Sequence, residues 1–177
     1  MERTWSGAIR RGRLPSMVRD ILVYPDPFLS RTASRVAKVD ERVKELIQDM
    51  FDTMYESDGI GLAATQVGVG KRIIVLDVSP ADETAAPIAL VNPEIIGREG
   101  PVAVCMEGCL SVPGVQGEVA RSEGVVVSGL DGNGEPVTLR AGGILSRALQ
   151  HEIDHLDGIL FIDRIPAPIP APPASAK

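Results

Sequence analysis

Residues 144–158 read ILSRALQHEIDHLDG, and this stretch decides the architecture. Gly142 and Gly143 precede it, and the spacing predicts a helix over about Ile144 to Leu156, with Gly158 suited to the C-terminal end. The chain has only 2 histidines, and both fall in His151-Glu152-Ile153-Asp154-His155. Residues four apart on a helix share a face, so both imidazoles can reach one metal ion. Glu152, between them, points into the adjacent cleft, where it can take a proton from water on the ion and later deliver it to a leaving group. Such an ion brings the pKa of its water down to about 7. The plain alternative is a chance pair of histidines, against which stand the helix placement and the lack of any other His. A purely structural site would call for four protein ligands, and a fourth is not evident.

The third ligand must lie upstream. The sequence follows the zinc-protease pattern HExxHxxGxxH as far as its glycine, but the final His position is Phe161. An acidic residue about twenty positions downstream, the other common solution, also fails, because position 175 is a serine in a Pro-rich tail. Thiolate is a strong ligand for zinc and late first-row metals. Cys105 sits in the apolar stretch PVAVC and reads as strand core, whereas Cys109 follows a glycine in Glu107-Gly108-Cys109-Leu110-Ser111; Cys109 is therefore favoured.

The rest of the chain supplies a scaffold. Its 177 residues fit one domain, with 44% apolar, 24% charged and only 3% aromatic residues, so the core rests on Val, Ile, Leu and Ala. A net charge of −6 argues against a nucleic-acid substrate. No apolar run approaches the roughly eighteen residues that span a bilayer, and no secretory signal opens the chain, so a reducing, cytoplasmic setting without membrane attachment is expected.

Residues 1–17 form an N-terminal extension. The Arg-rich start up to Ser16 reads either as an organellar transit peptide or as a dispensable leader before Met17; the second reading is favoured. The body runs over 18–165, and 166–177 is a Pro-rich, extended tail. Within the body, residues 18–39 read as extended or loop-like. A second helix, near the N-terminus, is predicted over about Asp40 to Ser57, with Asp40 as its cap and Met50 and Met54 as core. Residues 59–70 read as a Gly-rich loop. Short strands are predicted at Ile73–Val78, Ile88–Val91, Val102–Val104, Val125–Leu130 and Pro136–Arg140, the last two joined through the hairpin signal Asp131-Gly132-Asn133-Gly134. The expected fold class is α+β: largely antiparallel sheets packed around a central C-terminal HExxH helix.

Three stretches resemble the signature motifs of the peptide deformylase family: GIGLAATQ at 59–66, EGCLS at 107–111 and HEIDH at 151–155, in that family's order. The likeness runs from about Val18 to Asp163. It implies removal of the N-formyl group from the initiator formyl-methionine of nascent proteins, releasing formate. It implies one divalent ion on Cys109, His151 and His155: iron(II) first, with zinc, nickel or cobalt as alternates. It implies Glu152 as the proton carrier, and the Gln66 side-chain amide and Leu110 backbone N–H as donors to the developing oxyanion. Ile60 and Gly61 would pair with the extended peptide, together with Glu107 and Gly108, and Ile144 and Ala148 would form an apolar wall for the methionine side chain. Glycine lets another backbone approach closely, although these glycines can equally serve only to shape a turn.

Arg147 is less expected beside that wall; it either lays its stem along the pocket with its charged head in solvent or points away as a solvated surface residue. Asp154 and Asp157 either buttress a ligand His or are exposed carboxylates. The family implies work close to the ribosome, but this tail carries one lysine and lacks the basic helix used for docking there by well-studied members. Two other functions compete: a metallopeptidase, which the Cys109 motif and the missing third His or acid argue against, and a non-enzymatic metal module, which would need neither Glu152 nor Gln66.

Overall fold

The computed structural model describes residues 17–166, so the expectations for the leader and most of the Pro-rich tail lie outside it. After an irregular entry containing a short 3-10 helix at Pro27–Ser30, helix α1 spans Glu41–Glu56. Its Asp40 cap accepts from the Val43 N–H at 3.0 Å, an interaction worth about 1 kcal/mol. Ile47, Met50 and Met54 face inward, where they join Leu62, Ile73 and Val75 in one core cluster.

Five strands follow: β1 Gly61–Ala63, β2 Ile73–Leu76, β3 Ile88–Cys109, β4 Val112–Leu130 and β5 Pro136–Gly142. They form one antiparallel sheet in the order β1-β2-β3-β4-β5, so each strand pairs with its sequence neighbour. β2 is buried on both faces. Side-chain alternation sends Ile73 and Val75 towards the α1 cluster and Ile74 and Leu76 towards a second cluster with helix α2, Gly143–Leu156. Ala148, Leu149, Ile153 and Leu156 of α2 pack there against Ala63, Val125 and Val127. The α+β class is therefore correct, with the HExxH helix central.

Three sequence expectations need correction. The stretches at Ile88–Val91 and Val102–Val104 are not separate strands but parts of β3. The intervening Pro93, Gly100 and Pro101 are absorbed by register shifts at Val91/Glu94, Ile95/Gly97 and Glu99/Val102, with positive φ at Asn92 and Gly100. β4 begins at Val112, well before the expected Val125. The Gly-rich loop of 59–70 contains edge strand β1 and a 3-10 helix, Ala64–Val67.

After α2 the chain turns at Gly158, whose φ is +75° and whose missing Cβ would lie 2.5 Å from the Ser30 carbonyl oxygen; only glycine fits both demands. A last 3-10 helix, Phe161–Asp163, seats Phe161 in a third cluster with Leu29, Val112 and Val119. Among the described residues no helix is long and apolar enough to cross a membrane.

Candidate active site

The fold brings three remote elements to one point. Helix α2 presents His151 and His155 on one face, with ring centroids 5.0 Å apart. β3 ends at Cys109, where the pairing shifts register. The sulfur and one nitrogen of each ring all lie within 4.8 Å of one another, and Cys109 Sγ is 3.2 Å from His155 Nε2. Phe161, which occupies the final His position of the protease pattern, stacks instead on the His151 ring at a centroid distance of 6.2 Å.

His151 Nδ1 lies 3.0 Å from Glu107 Oε2. Ionised Glu107 can only accept, so Nδ1 carries the proton and Nε2 is left for a ligand. Burial would raise the Glu107 pKa, but hydrogen bonds from Arg121 and His151 outweigh it and hold it at about 2. Burial would likewise lower His151, yet its bonds to Cys109 and Glu107 and the charge of Glu152 drive it up to about 10. That anionic surround favours a cation. His155, buried and facing the His151 and Arg121 charges, is pulled well below 6.5, which keeps its ring neutral as a ligand must be. Among the described residues His155 Nδ1 is also a buried polar atom without a hydrogen-bond partner. One thiol and two imidazoles, so arranged, fit zinc or a late first-row divalent ion.

Glu152 is buried and packs against edge strand β1. A Cβ on Gly61 would come within 2.9 Å of the Glu152 carboxyl carbon, so glycine there makes room for the acid. Burial raises the Glu152 pKa to about 7, against the pull of His151 and Arg121, and among the described residues Oε2 has no hydrogen-bond partner. Gln66 is fixed by both ends of its amide. Oε1 accepts from the Ala63 N–H at 2.9 Å, while Nε2 donates to Ser111 Oγ at 3.1 Å and lies 3.6 Å from Cys109 Sγ. The amide nitrogen therefore faces the sulfur–imidazole group.

A cleft of about 610 Å³ opens from these groups. All six expected substrate contacts line it: Ile60, Gly61, Glu107, Gly108, Ile144 and Ala148. Leu110 lines it too, as do Met106, Gln116 and Arg147. Arg147 therefore lies along the cleft, as one of its two readings has it, but its head rests against Cys105 Sγ instead of in solvent. Among the described residues β1 pairs only with β2, and its other edge offers room for a further strand.

Sequence reasoning missed Arg121. It is buried, with Nε and Nη2 on the Glu107 carboxylate at 2.6 and 2.8 Å and Nη1 on Asp154 Oδ2 at 2.6 Å. Asp154 in turn takes both Arg164 Nε, at 2.6 Å, and Nη2, at 2.5 Å. Asp154 thus supports His151 through Arg121 and Glu107 rather than by touching a ring. Asp157 pairs with Arg72 at 2.6 Å and is half-exposed. The available signal was strand alternation: Arg121 shares the inward face of β4 with fully buried Val119.

A water-accessible cleft that ends on a sulfur, two imidazoles and a partnerless buried carboxylate defines the molecule as a metal-dependent hydrolase. The family model described as polypeptide deformylase matches residues 18–169. A peptide deformylase of Thermodesulfovibrio yellowstonii is 49% identical over 148 residues, covering 84% of this chain and 89% of that protein. One from Alkalilimnicola ehrlichii is 51% identical over 147 residues, covering 82% and 81%. The crystal structure of a peptide deformylase from Synechococcus elongatus in complex with actinonin superposes with a TM-score of 0.81 at 46% identity, over 86% of this chain and 83% of that one. The chain belongs to the peptide deformylase family, and its activity is that of the family, hydrolytic removal of the N-formyl group.

Proposed function

We propose that Cys109, His151 and His155 hold the ion, that Glu152 carries the proton, and that the substrate is the formyl-methionyl end of newly made proteins. The single observation that supports this most is the buried Glu152 carboxylate, one oxygen without a partner, beside the three converging ligand atoms. Held there, a divalent ion would supply Lewis acidity and bring the pKa of its water to about 7.

The chain's own residues do the rest. The open edge of β1 at Gly61, with Ile60 just before it, pairs with the extended peptide backbone, and Gly108 lines the same cleft. The methionine side chain enters beside Ile144 and Ala148. Negative charge developing on the formyl oxygen is met by the Gln66 amide, whose orientation Ala63 and Ser111 fix, and by the Leu110 N–H. Glu152 accepts a proton from the attacking water and delivers it to the departing amine nitrogen, so formate leaves and a free N-terminus remains.

Iron(II) is the ion we assign in the cell, with zinc, nickel or cobalt able to occupy the same donors. The catalytic body is residues 18–165, acting in the cytoplasm near the ribosome without docking through the C-terminal tail. The test is to incubate metal-loaded protein with formyl-Met-Ala and with unformylated Met-Ala-Ser. Formate release from the first alone is expected. Peptide cleavage without formate would make the chain a peptidase, and no turnover with iron(II), nickel or cobalt would make it a metal-binding module.

A further inference from the structure

We infer that Gln150 is a positioning residue: its buried side-chain amide stands in for a missing strand on β4 and fixes where α2 holds His151 and His155 against Cys109. This rests on the reading of those three residues as the metal ligands. Gln150 is 3% exposed and stands immediately before His151. β4 pairs with β5 only as far as Gly124, opposite Gly142, where the chain leaves the sheet to start α2 at Gly143. Two residues away along β4, at Ser122, the Gln150 amide does what a strand partner would. Its Oε1 accepts from the Ser122 N–H at 3.2 Å, and its Nε2 donates to the Ser122 carbonyl oxygen at 2.8 Å.

The rest of the amide is engaged as well. Oε1 accepts from Arg98 Nη1 at 2.8 Å, and Nε2 lies 3.1 Å from both the carbonyl oxygen and Oγ of Ser146, one turn earlier on α2. One side chain therefore joins α2, β3 and β4. Paired bonds to a single backbone residue fix both the sliding and the rotation of the helix, which an apolar contact would not. The next tie comes four residues on, where Asp154 meets Arg121, the β4 neighbour of Ser122. His151 lies between the two ties. β4 carries that register across to β3, pairing Ser122 with Val102 and Gly117 with Glu107, on the strand that ends at Cys109. Metal–ligand distances tolerate only about 0.2 Å, and a helix rises about 1.5 Å per residue. A slip of α2 by a fraction of one residue thus takes its imidazoles out of bonding range of an ion on the sulfur.

The experiment loads wild type, Gln150→Met, Gln150→Glu and Val75→Ala with cobalt(II), records the visible ligand-field spectrum, and measures cobalt affinity by competition with a chelator. Gln150→Met keeps the length and loses every bond, whereas Gln150→Glu keeps the acceptor and loses the donor. Val75→Ala opens a cavity in the α1 cluster and reports lost stability alone. In Gln150→Met the bands should shift and affinity should fall about 10- to 100-fold. Gln150→Glu should fall between, and it decides the matter where the methionine variant does not fold. Val75→Ala should keep the wild-type spectrum. Wild-type spectra and affinities in both Gln150 variants would overturn the inference, and so would an equal change in Val75→Ala. If wild type shows no sulfur-to-cobalt charge-transfer band, the reading of the ligands fails instead. The positioning role is then decided by crystal structures of the metal-free proteins. Displacement of His151 relative to Cys109 Sγ in either Gln150 variant supports it, and an unchanged spacing in both overturns it.

Discussion

The two ends of the cleft are built from different material. Beneath His151 a chain of charges runs from Glu107 through Arg121 to Asp154 and Arg164, each link at 2.5–2.8 Å, with Arg121 only 4% exposed. At the outer end Met106 is 60% exposed and Ile60 37%, on an apolar rim whose side chains make no such links. The first end fixes rings and carboxylates to within the tolerance that bond-making needs. The second offers deformable apolar surface, which suits a binding partner whose sequence varies from one nascent chain to the next.

Substitutions at the rigid end should cost most. Glu152→Ala should retain the ion yet lose about 100- to 10,000-fold in kcat, whereas Cys109→Ala should lose the ion itself; elemental analysis beside formate release separates the two. Gln66→Leu should lower kcat by about 100- to 1000-fold with the ion in place. Arg121→Leu removes the guanidinium shared by two buried carboxylates, leaving Glu107 with His151 and Asp154 with Arg164, so chemical denaturation should show a loss of about 1.5–3 kcal/mol, and metal affinity should fall about 10- to 100-fold through Glu107. If Arg121→Leu proved neutral in both, the contrast between the two ends would collapse. Met106→Ala, at the soft end, should raise KM by less than about tenfold and leave the ion bound.

The smallest effect lies away from both ends. Asp77 accepts from Tyr55 Oη at 2.8 Å and from the Ser79 N–H at 2.9 Å. Burial would raise its pKa, but those bonds prevail and hold it below 3.8. Its contribution is thus fully present above the unfolded value and is lost as pH falls through the lower folded one. Asp77→Asn should cost about 1 kcal/mol near neutrality, and acid titration of stability should show that difference vanishing.

Much of the site was legible because its chemistry is local. The i, i+4 spacing of the only two histidines, the acid between them and the glycine before Cys109 are each visible within five residues. Both helices were legible for the same reason, since a cap and a 3.6-residue period are short-range signals. The long β3–β4 hairpin was not. Pro93, Gly100 and Pro101 punctuate β3 in sequence, and only the pairing with β4 turns them into bulges within one strand. Arg121 was hidden because both of its carboxylate partners are remote, 14 and 33 positions away. Its burial is decided by tertiary pairing, which no local window contains.

The central claim is that one ion sits between a thiolate and two imidazoles. X-ray absorption at the metal edge of the loaded protein tests it most directly. One sulfur at about 2.3 Å and two imidazole nitrogens at about 2.0–2.1 Å are expected for zinc, with the sulfur shell lost in Cys109→Ser. A first shell of nitrogen and oxygen alone in the unsubstituted protein would contradict the account.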